Sequence, residues 1–240
     1  TLINYMIIFI TTENTMQTIL LIKYGEKYSA ADVNRIVNDT DRKYNYACIT
    51  DDPTDLDPLI KTIPIPEDVE GHWIKIWMYT LEGLGDVLYL DLDIRIQKNI
   101  DHLWNSIDNF PTIVYTYWKD KEFPDYVGDT HGMRFLSNYN SSVVMWREGT
   151  VHNIWEHFQS DPDYFMVKYF GDDRFLWHED FRFNYFPKGE IYSFVYGADY
   201  YGIDDHNESF FYRPTYTIAL LNGLDQFPGA EKKYDELRMH

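Results

Sequence analysis

The 240-residue chain reads as an α/β protein with a central, mostly parallel sheet flanked by helices. Short apolar runs alternate along it with amphipathic helical stretches, the pattern that builds parallel sheets covered by helices. No internal repeat, low-complexity stretch or long linker interrupts the alternation. With 45% hydrophobic residues, a chain of this length can bury one substantial core. These observations predict a single domain over residues 16–240. Residues 1–15 read as an extension outside the core fold, because the first strong strand begins just after Met16. The apolar run at residues 1–10 is too short to span a bilayer, which takes about 20 residues, and it lacks the basic start and cleavage site of a secretory signal.

Residues 18–25 form a buried first strand that ends in a turn. Ser29 follows as an N-cap with Asp32 in a capping-box position, so a helix runs on to about Asn38. Residues 46–52 make a second strand, ending in acids and stopped by Pro53. Residues 59–66 give a third extended segment, limited by its prolines. Over residues 72–83, Trp73, Ile76, Trp77, Thr80 and Leu81 share one side at helical spacing, and Gly83 and Gly85 end that helix. Residues 86–93 are a fourth strand and residues 111–118 a fifth. Residues 139–146 are another strand, leading into a helix over about 150–159, and the Gly171-Asp172-Asp173 turn opens a further helix. About the last 60 residues, rich in Tyr and Phe, read as edge strands and loops around the site.

Charge narrows the function. Asp and Glu total 39 against 21 Lys and Arg, a formal charge of −18. That argues against a nucleic acid partner, which needs clustered cations, and against docking on anionic membranes. An anionic ligand such as a nucleotide diphosphate would need a local positive charge, which a divalent metal supplies. The lone cysteine, Cys48, leaves neither an intrachain disulfide nor a Cys-based zinc site. It reads as an inert core residue and fits a reducing compartment, the cytoplasm (or a host's cytoplasm for a viral protein). Aromatics are abundant, with 21 Tyr, 15 Phe and 7 Trp. Most fill the core, but aromatic faces also stack on nucleobases and sugar rings.

The main chemical signal is Val87-Leu88-Tyr89-Leu90-Asp91-Leu92-Asp93. Side chains alternate along a strand, so Asp91 and Asp93 point to one face and Leu92 to the other. Ligands of open α/β sheets bind beyond the carboxyl ends of strands. Two carboxylates aimed there make a hard-oxygen site for Mn²⁺ or Mg²⁺. A lone Asp-x-Asp is weak in so acidic a chain, and the preceding apolar run strengthens it. Three further features stand beside it. Asp172, in Gly171-Asp172-Asp173-Arg174, is either a helix cap or a carboxylate facing a sugar. Asn140-Ser141-Ser142 offers small polar groups to sugar hydroxyls. Lys75 is either a snorkelling surface lysine or a phosphate partner. The histidines show no paired metal-ligand spacing.

Taken in order, these motifs resemble glycogenin-like family-8 glycosyltransferases. His72-Trp73-Ile74-Lys75-Ile76-Trp77 is similar to that family's lysine-bearing helix. Val87 to Asp93 matches its strand ending in Asp-x-Asp, and Asn99-Ile100-Asp101-His102-Leu103-Trp104 its following segment. Tyr139-Asn140-Ser141-Ser142-Val143-Val144 is similar to its Asn-Ser-Gly strand, and Gly171-Asp172-Asp173 to its Gly-Asp-Gln turn. The matched region covers about residues 18–180.

The resemblance implies a GT-A fold, a Rossmann-like nucleotide-diphospho-sugar transferase. It also implies a UDP-sugar donor, Mn²⁺ (or Mg²⁺) dependence, a glycan or other hydroxyl acceptor, and retention of anomeric configuration. Asp91 and Asp93 would take the metal, and Lys75 would contact donor phosphate or sugar. Ile22, Lys23, Tyr24, Asp51 and Leu92 would line the nucleotide, and Asn140 and Asp172 would face the donor sugar, Asp172 as the catalytic carboxylate. The family's late metal-binding His is absent here, and Asn222 stands in that region as a third ligand. Two alternatives stay open: a haloacid-dehalogenase-type phosphatase, which also uses Asp-x-Asp after an apolar strand, and a sugar-binding relative without activity.

Overall fold

A computed structural model describes residues 15–118, 137–169, 171–197, 210–221 and 228–239. The extension read over residues 1–15 lies almost wholly outside them. The elements in chain order are β1 (Gln17–Lys23), α1 (Ala30–Asp39), β2 (Asn45–Thr50), β3 (Ile60–Pro64), α2 (Ile74–Trp77), β4 (Asp86–Leu90), β5 (Ile94–Ile96), β6 (Thr112–Tyr115), β7 (Tyr139–Arg147), α3 (His152–Gln159), α4 (Pro162–Lys168), α5 (Asp172–His178), β8 (Asn184–Tyr185), β9 (Ile191–Ser193), β10 (Ile218–Leu220) and α6 (Ala230–Arg238).

A seven-stranded sheet runs in the order β3-β2-β1-β4-β7-β6-β8, and a three-stranded sheet in the order β5-β10-β9. In the large sheet only β7 runs against its neighbours β4 and β6; the other pairings are parallel. The carboxyl ends of β1, β2, β4 and β6 therefore share one edge.

Strand alternation sorts the core into layers. Leu20, Val87, Tyr89, Ile113 and Trp146 face one side, where Trp73, Ile76, Phe158, Phe165 and Phe175 of the α2–α5 region pack on them. Ile19, Leu21, Leu88, Leu90 and Met145 face the other side, under Val33, Ile36 and Val37 of α1 and the apolar residues of the small sheet. A third cluster joins the small sheet's outer face to Ala230 and Tyr234 of α6. Cys48 is fully buried in the second layer, and burial pushes its thiol up to about 12, consistent with an inert core residue.

One local reading holds, and others are corrected. The Ser29–Asp32 capping box is formed at the start of α1. The stretch over 72–83 is shorter than its periodicity predicts. It is four residues of α-helix between 3-10 turns at Gly71–Trp73 and Met78–Thr80, and the chain is already extended at Leu81. Gly83 and Gly85 have positive φ (73° and 72°). At Gly85 a Cβ would also lie 2.3 Å from the Met16 carbonyl oxygen, which accepts the Asp86 N–H at 2.8 Å. The fourth strand ends at Leu90 rather than at Asp93, because the chain leaves the large sheet there and enters the small one at Ile94. Over about the last 60 residues the expected short strands occur, but so does helix α6. Its sequence, AEKKYDELR, buries only Ala230 and Tyr234, too few apolar positions to show a helical period.

The second turn of the site-bearing helix α5 is anchored by Glu179, at its C-terminus. The Glu179 carboxylate accepts from Lys168 (2.8 Å), Tyr169 (2.5 Å) and His157 (2.9 Å). Burial would raise its pKa, but these partners pull it from 4.5 down to about 2. A depressed carboxylate stabilises the fold above its unfolded pKa and loses that contribution as pH falls through its folded one. Urea unfolding of Glu179→Gln against the parent should show a loss of about 2 kcal/mol at neutral pH. That difference should shrink as pH falls from about 4.5 toward about 2.

Candidate functional site

A cavity of about 420 Å³ opens at the shared strand edge. Its walls come from the loop after β1, the start of the Gly71–Thr80 helical stretch, and the ends of β4. Strand alternation decides who enters. Ile22 and Tyr24 line the cavity with Asp91, Leu92 and Asp93. Lys23, between them, points away, with its ammonium 3.1 Å from the Asp52 carbonyl oxygen. Asp51 is not on the wall either. It accepts the Gly25 N–H at 2.8 Å and so ties down the turn, with Gly25 at φ 62°, from which the Tyr24–Tyr28 side of the wall is built.

At the base of the cavity Lys75 meets Asp91. The ammonium lies 2.7 Å from one carboxylate oxygen and 2.9 Å from the other, with the Ser141 hydroxyl at 3.4 Å. Tyr89, on the same strand face as Asp91, donates its hydroxyl to the Asp91 carboxylate. Burial alone would lower the Lys75 pKa, but Asp91 and then Asp172 hold it above its ordinary value. Tyr89 is pushed well above its ordinary value, first by burial and then by Asp91.

Asp91 and Asp93 are not strand residues as predicted. They flank a turn between the two sheets, in which Leu92 turns its side chain into the core at 3% exposure. The turn is held at both ends. The Asp91 N–H donates to the Ser142 carbonyl of β7 (2.8 Å), and the Asp93 carbonyl accepts the Leu221 N–H beside β10 (2.9 Å).

Asp172 opens α5 at 6% exposure, and its Oδ2 is buried with no hydrogen-bond partner. Its charge is felt at Lys75, Tyr24 and His72, which places it in the same electrostatic unit. Asn140 sits at an irregularity of β7. Between Ile113 and Val114 the pairing with β6 jumps from Val144 to Asn140, leaving Ser141, Ser142 and Val143 unmatched on that side. The Asn140 Oδ1 accepts the Ser142 N–H at 3.1 Å across this stretch, and Ser141 is thereby turned toward Lys75. Asn222 lies outside the described residues.

Several wall residues are not signalled by the sequence. His72 lines the cavity; burial lowers its pKa, opposed by Asp172. Glu26, Lys27, Tyr28 and Tyr89 also line it. The position of the loop after β1 could have suggested Lys27 and Tyr28, and strand alternation, which puts Tyr89 on the same face as Asp91, could have suggested Tyr89.

Against solved structures, the chain is similar to the galactosyltransferase LgtC in complex with donor and acceptor sugar analogues. The TM-score is 0.61 at 12% identity, covering 92% of this chain and 94% of that one. Mouse xyloside xylosyltransferase 1 in its apo form is similar at a TM-score of 0.52 and 14% identity, covering 86% of this chain and 97% of that one. The fold is that of a GT-A glycosyltransferase. At these identities the likeness is one of fold. No protein-family model matches the chain, and no curated protein matches it. In this GT-A fold Asp91 and Asp93 lie just past the fourth strand, on the turn between the sheets, and both of these solved structures are glycosyltransferases, not phosphatases. No helix of the described residues is long and apolar enough to cross a membrane.

The Lys75–Asp91 pair is largely enclosed, with side-chain exposures of 17% and 19%. Removing one partner strands the other's charge. Lys75→Met and Asp91→Asn should each cost about 2 kcal/mol in urea unfolding. The double variant should cost less than their sum by at least about 1 kcal/mol. Additive losses would mean that the pair is not coupled in solution.

Proposed function

We propose that this protein is a metal-dependent glycosyltransferase that moves a sugar from a nucleotide-sugar donor, UDP-sugar in the first instance, to a glycan or other hydroxyl acceptor with retention. The observation that carries the reading is the cavity at the carboxyl edge of a GT-A sheet, with Asp91, Asp93 and Lys75 on one wall. UDP and retention rest on the family-8 resemblance of the motifs.

The donor set suits a hard divalent cation. Asp91 and Asp93 are oxygen ligands, and among the described residues no group of three or more His, Cys, Asp or Glu gathers around a common centre. Two carboxylates are what Mg²⁺- or Mn²⁺-type sites use when phosphate and water complete the coordination. The unsatisfied buried oxygen of Asp172 marks a place where a ligand group is expected, since buried polar atoms ordinarily find partners. A cation held by Asp91 and Asp93 would neutralise diphosphate charge and stabilise the departing nucleotide.

The chain's own residues divide the remaining work. Tyr24 and Ile22 present apolar surface to the base and ribose. Lys75, kept protonated by Asp91 and Asp172, offers a point charge to phosphate. Leu92 anchors the turn in the core while its backbone forms the wall. Asn140 and the serine after it present polar groups toward the donor sugar, and Asp172 is the carboxylate nearest the reacting centre in this reading.

Thermal unfolding with a panel of nucleotides and nucleotide sugars, with and without Mn²⁺, tests this. A ligand at about a hundred times its Kd adds roughly 2.7 kcal/mol, or a rise of about 5 °C or more for a protein of this size. The rise should require nucleotide and metal together, and it should vanish in Asp93→Asn. Stabilisation without hydrolysis or transfer from any UDP- or GDP-sugar would favour the inactive sugar-binding reading. No stabilisation by any member of the panel would overturn both.

A further inference from the structure

The cavity wall is backed by a residue that never reaches it. Arg35 lies in the middle of α1, against the opposite face of the large sheet from Lys75. Its guanidinium forks onto the turn between the sheets: Nη2 donates to the Leu92 carbonyl at 2.7 Å, and Nη1 donates to the Ile94 carbonyl at 3.1 Å and to Asp39 at 3.3 Å. The two carbonyls lie on either side of Asp93: Leu92 O is in the peptide that enters Asp93, and Ile94 O is in the peptide that joins Ile94 to Arg95, so one rigid, planar donor group spans the turn. Ile94 O is shared, since Arg95 also donates to it at 2.9 Å. The action specific to Arg35 therefore falls on Leu92 O, the peptide joining Leu92 to Asp93.

That peptide sits at the one place where neither sheet supplies its ladder, because β4 ends at Leu90 and β5 begins at Ile94. With the neighbouring anchors at Asp91 N–H and Asp93 C=O already made, the direction in which Asp93 leaves the backbone depends on whether the 92–93 carbonyl is held. Arg35 shows 23% of its side chain to solvent, so each guanidinium-to-carbonyl bond is charge-assisted in surroundings partly shielded from water. A carbonyl left there without a donor would be under pressure to rotate toward another one.

We infer that Arg35 is a positioning residue that aims the Asp93 carboxylate into the cavity, acting through the Leu92 carbonyl. This rests on the reading of Asp91 and Asp93 as oxygen ligands of a divalent cation. It assigns to the far side of the sheet a control over the geometry and affinity of that pair. Asp91, held from the cavity side by Lys75 and Tyr89, is not subject to it, so the two carboxylates are set by independent supports.

The test is Mn²⁺ binding in the presence of UDP, followed by electron paramagnetic resonance, for the parent, Arg35→Met and Arg35→Lys. UDP affinity without metal and thermal unfolding are measured alongside. Arg35→Met should weaken Mn²⁺ at least tenfold and alter the bound-manganese spectrum, while metal-free UDP affinity changes less than twofold. Arg35→Lys, which can serve one carbonyl but not fork onto two, should fall between. Arg35→Lys also keeps the question open to measurement if Arg35→Met does not fold. A folded variant that binds Mn²⁺ with the parent's affinity and spectrum overturns the inference and leaves Arg35 as a pin for stability alone. A parent that binds no Mn²⁺ even with UDP overturns the metal reading itself, and the role of Arg35 with it.

Discussion

The passage of the backbone from one sheet to the other at residues 91–93 is the constraint around which this molecule is organised. A strand that ends in the interior must have its next peptide groups satisfied by something other than the ladder it has left. Of the three backbone groups held here, the first, the Asp91 N–H, is taken by β7 through the Ser142 carbonyl, and the third, the Asp93 carbonyl, by the segment after β10 through the Leu221 N–H. The middle one falls to Arg35. Acids in such a place would be unwelcome in an ordinary core. They are tolerated because Asp91 carries Lys75 and Tyr89 on it and because both carboxylates open on a cavity.

The surrounding architecture follows from that passage. The helices of one face bring Lys75 and Asp172 to the site and bury their own apolar sides on Val87, Tyr89, Val144 and Trp146. The small sheet, needed to receive the chain at Ile94, covers the opposite face and carries α6, fastened through Arg95 and Glu231. Gln97, just past β5, accepts from the hydroxyls of Tyr192 (3.2 Å) and Tyr234 (2.9 Å) and donates to the carbonyls of Arg213 and Tyr216. A single amide thus gathers β9, α6 and the segment before β10 behind the site.

The layered α/β architecture was legible from the sequence because apolar runs in β1, β2 and β4 are nearly continuous, as strands buried on both faces must be. The association of Lys75 with Asp91 and Asp93 was legible only through the order of several motifs, since no spacing rule connects a short helix to a strand end. Lys23 shows the limit of reading three neighbouring residues as a unit, because alternation sends it to the opposite side from Ile22 and Tyr24. Asp51 belongs to the site's surroundings for a different reason than its position suggested, as an acceptor for the turn at Gly25. Arg35 left no trace: an arginine with an acid four residues on in an amphipathic helix looks like any solvated pair, and its partners on the turn are backbone atoms, which no side-chain pattern records. Helix α6 escaped notice because two buried residues in nine do not establish a period.

Strand β7 serves two neighbours with different counts. Against β4 it is in step from Arg147 to Val143, while against β6 it passes three residues with no counterpart before pairing resumes at Asn140. The slack stretch is the one that presents Ser141 to Lys75 and the Ser142 carbonyl to Asp91. A change of length there would alter the pairing with β6 before that with β4, so the shape of the cavity can be varied by length as well as by residue type.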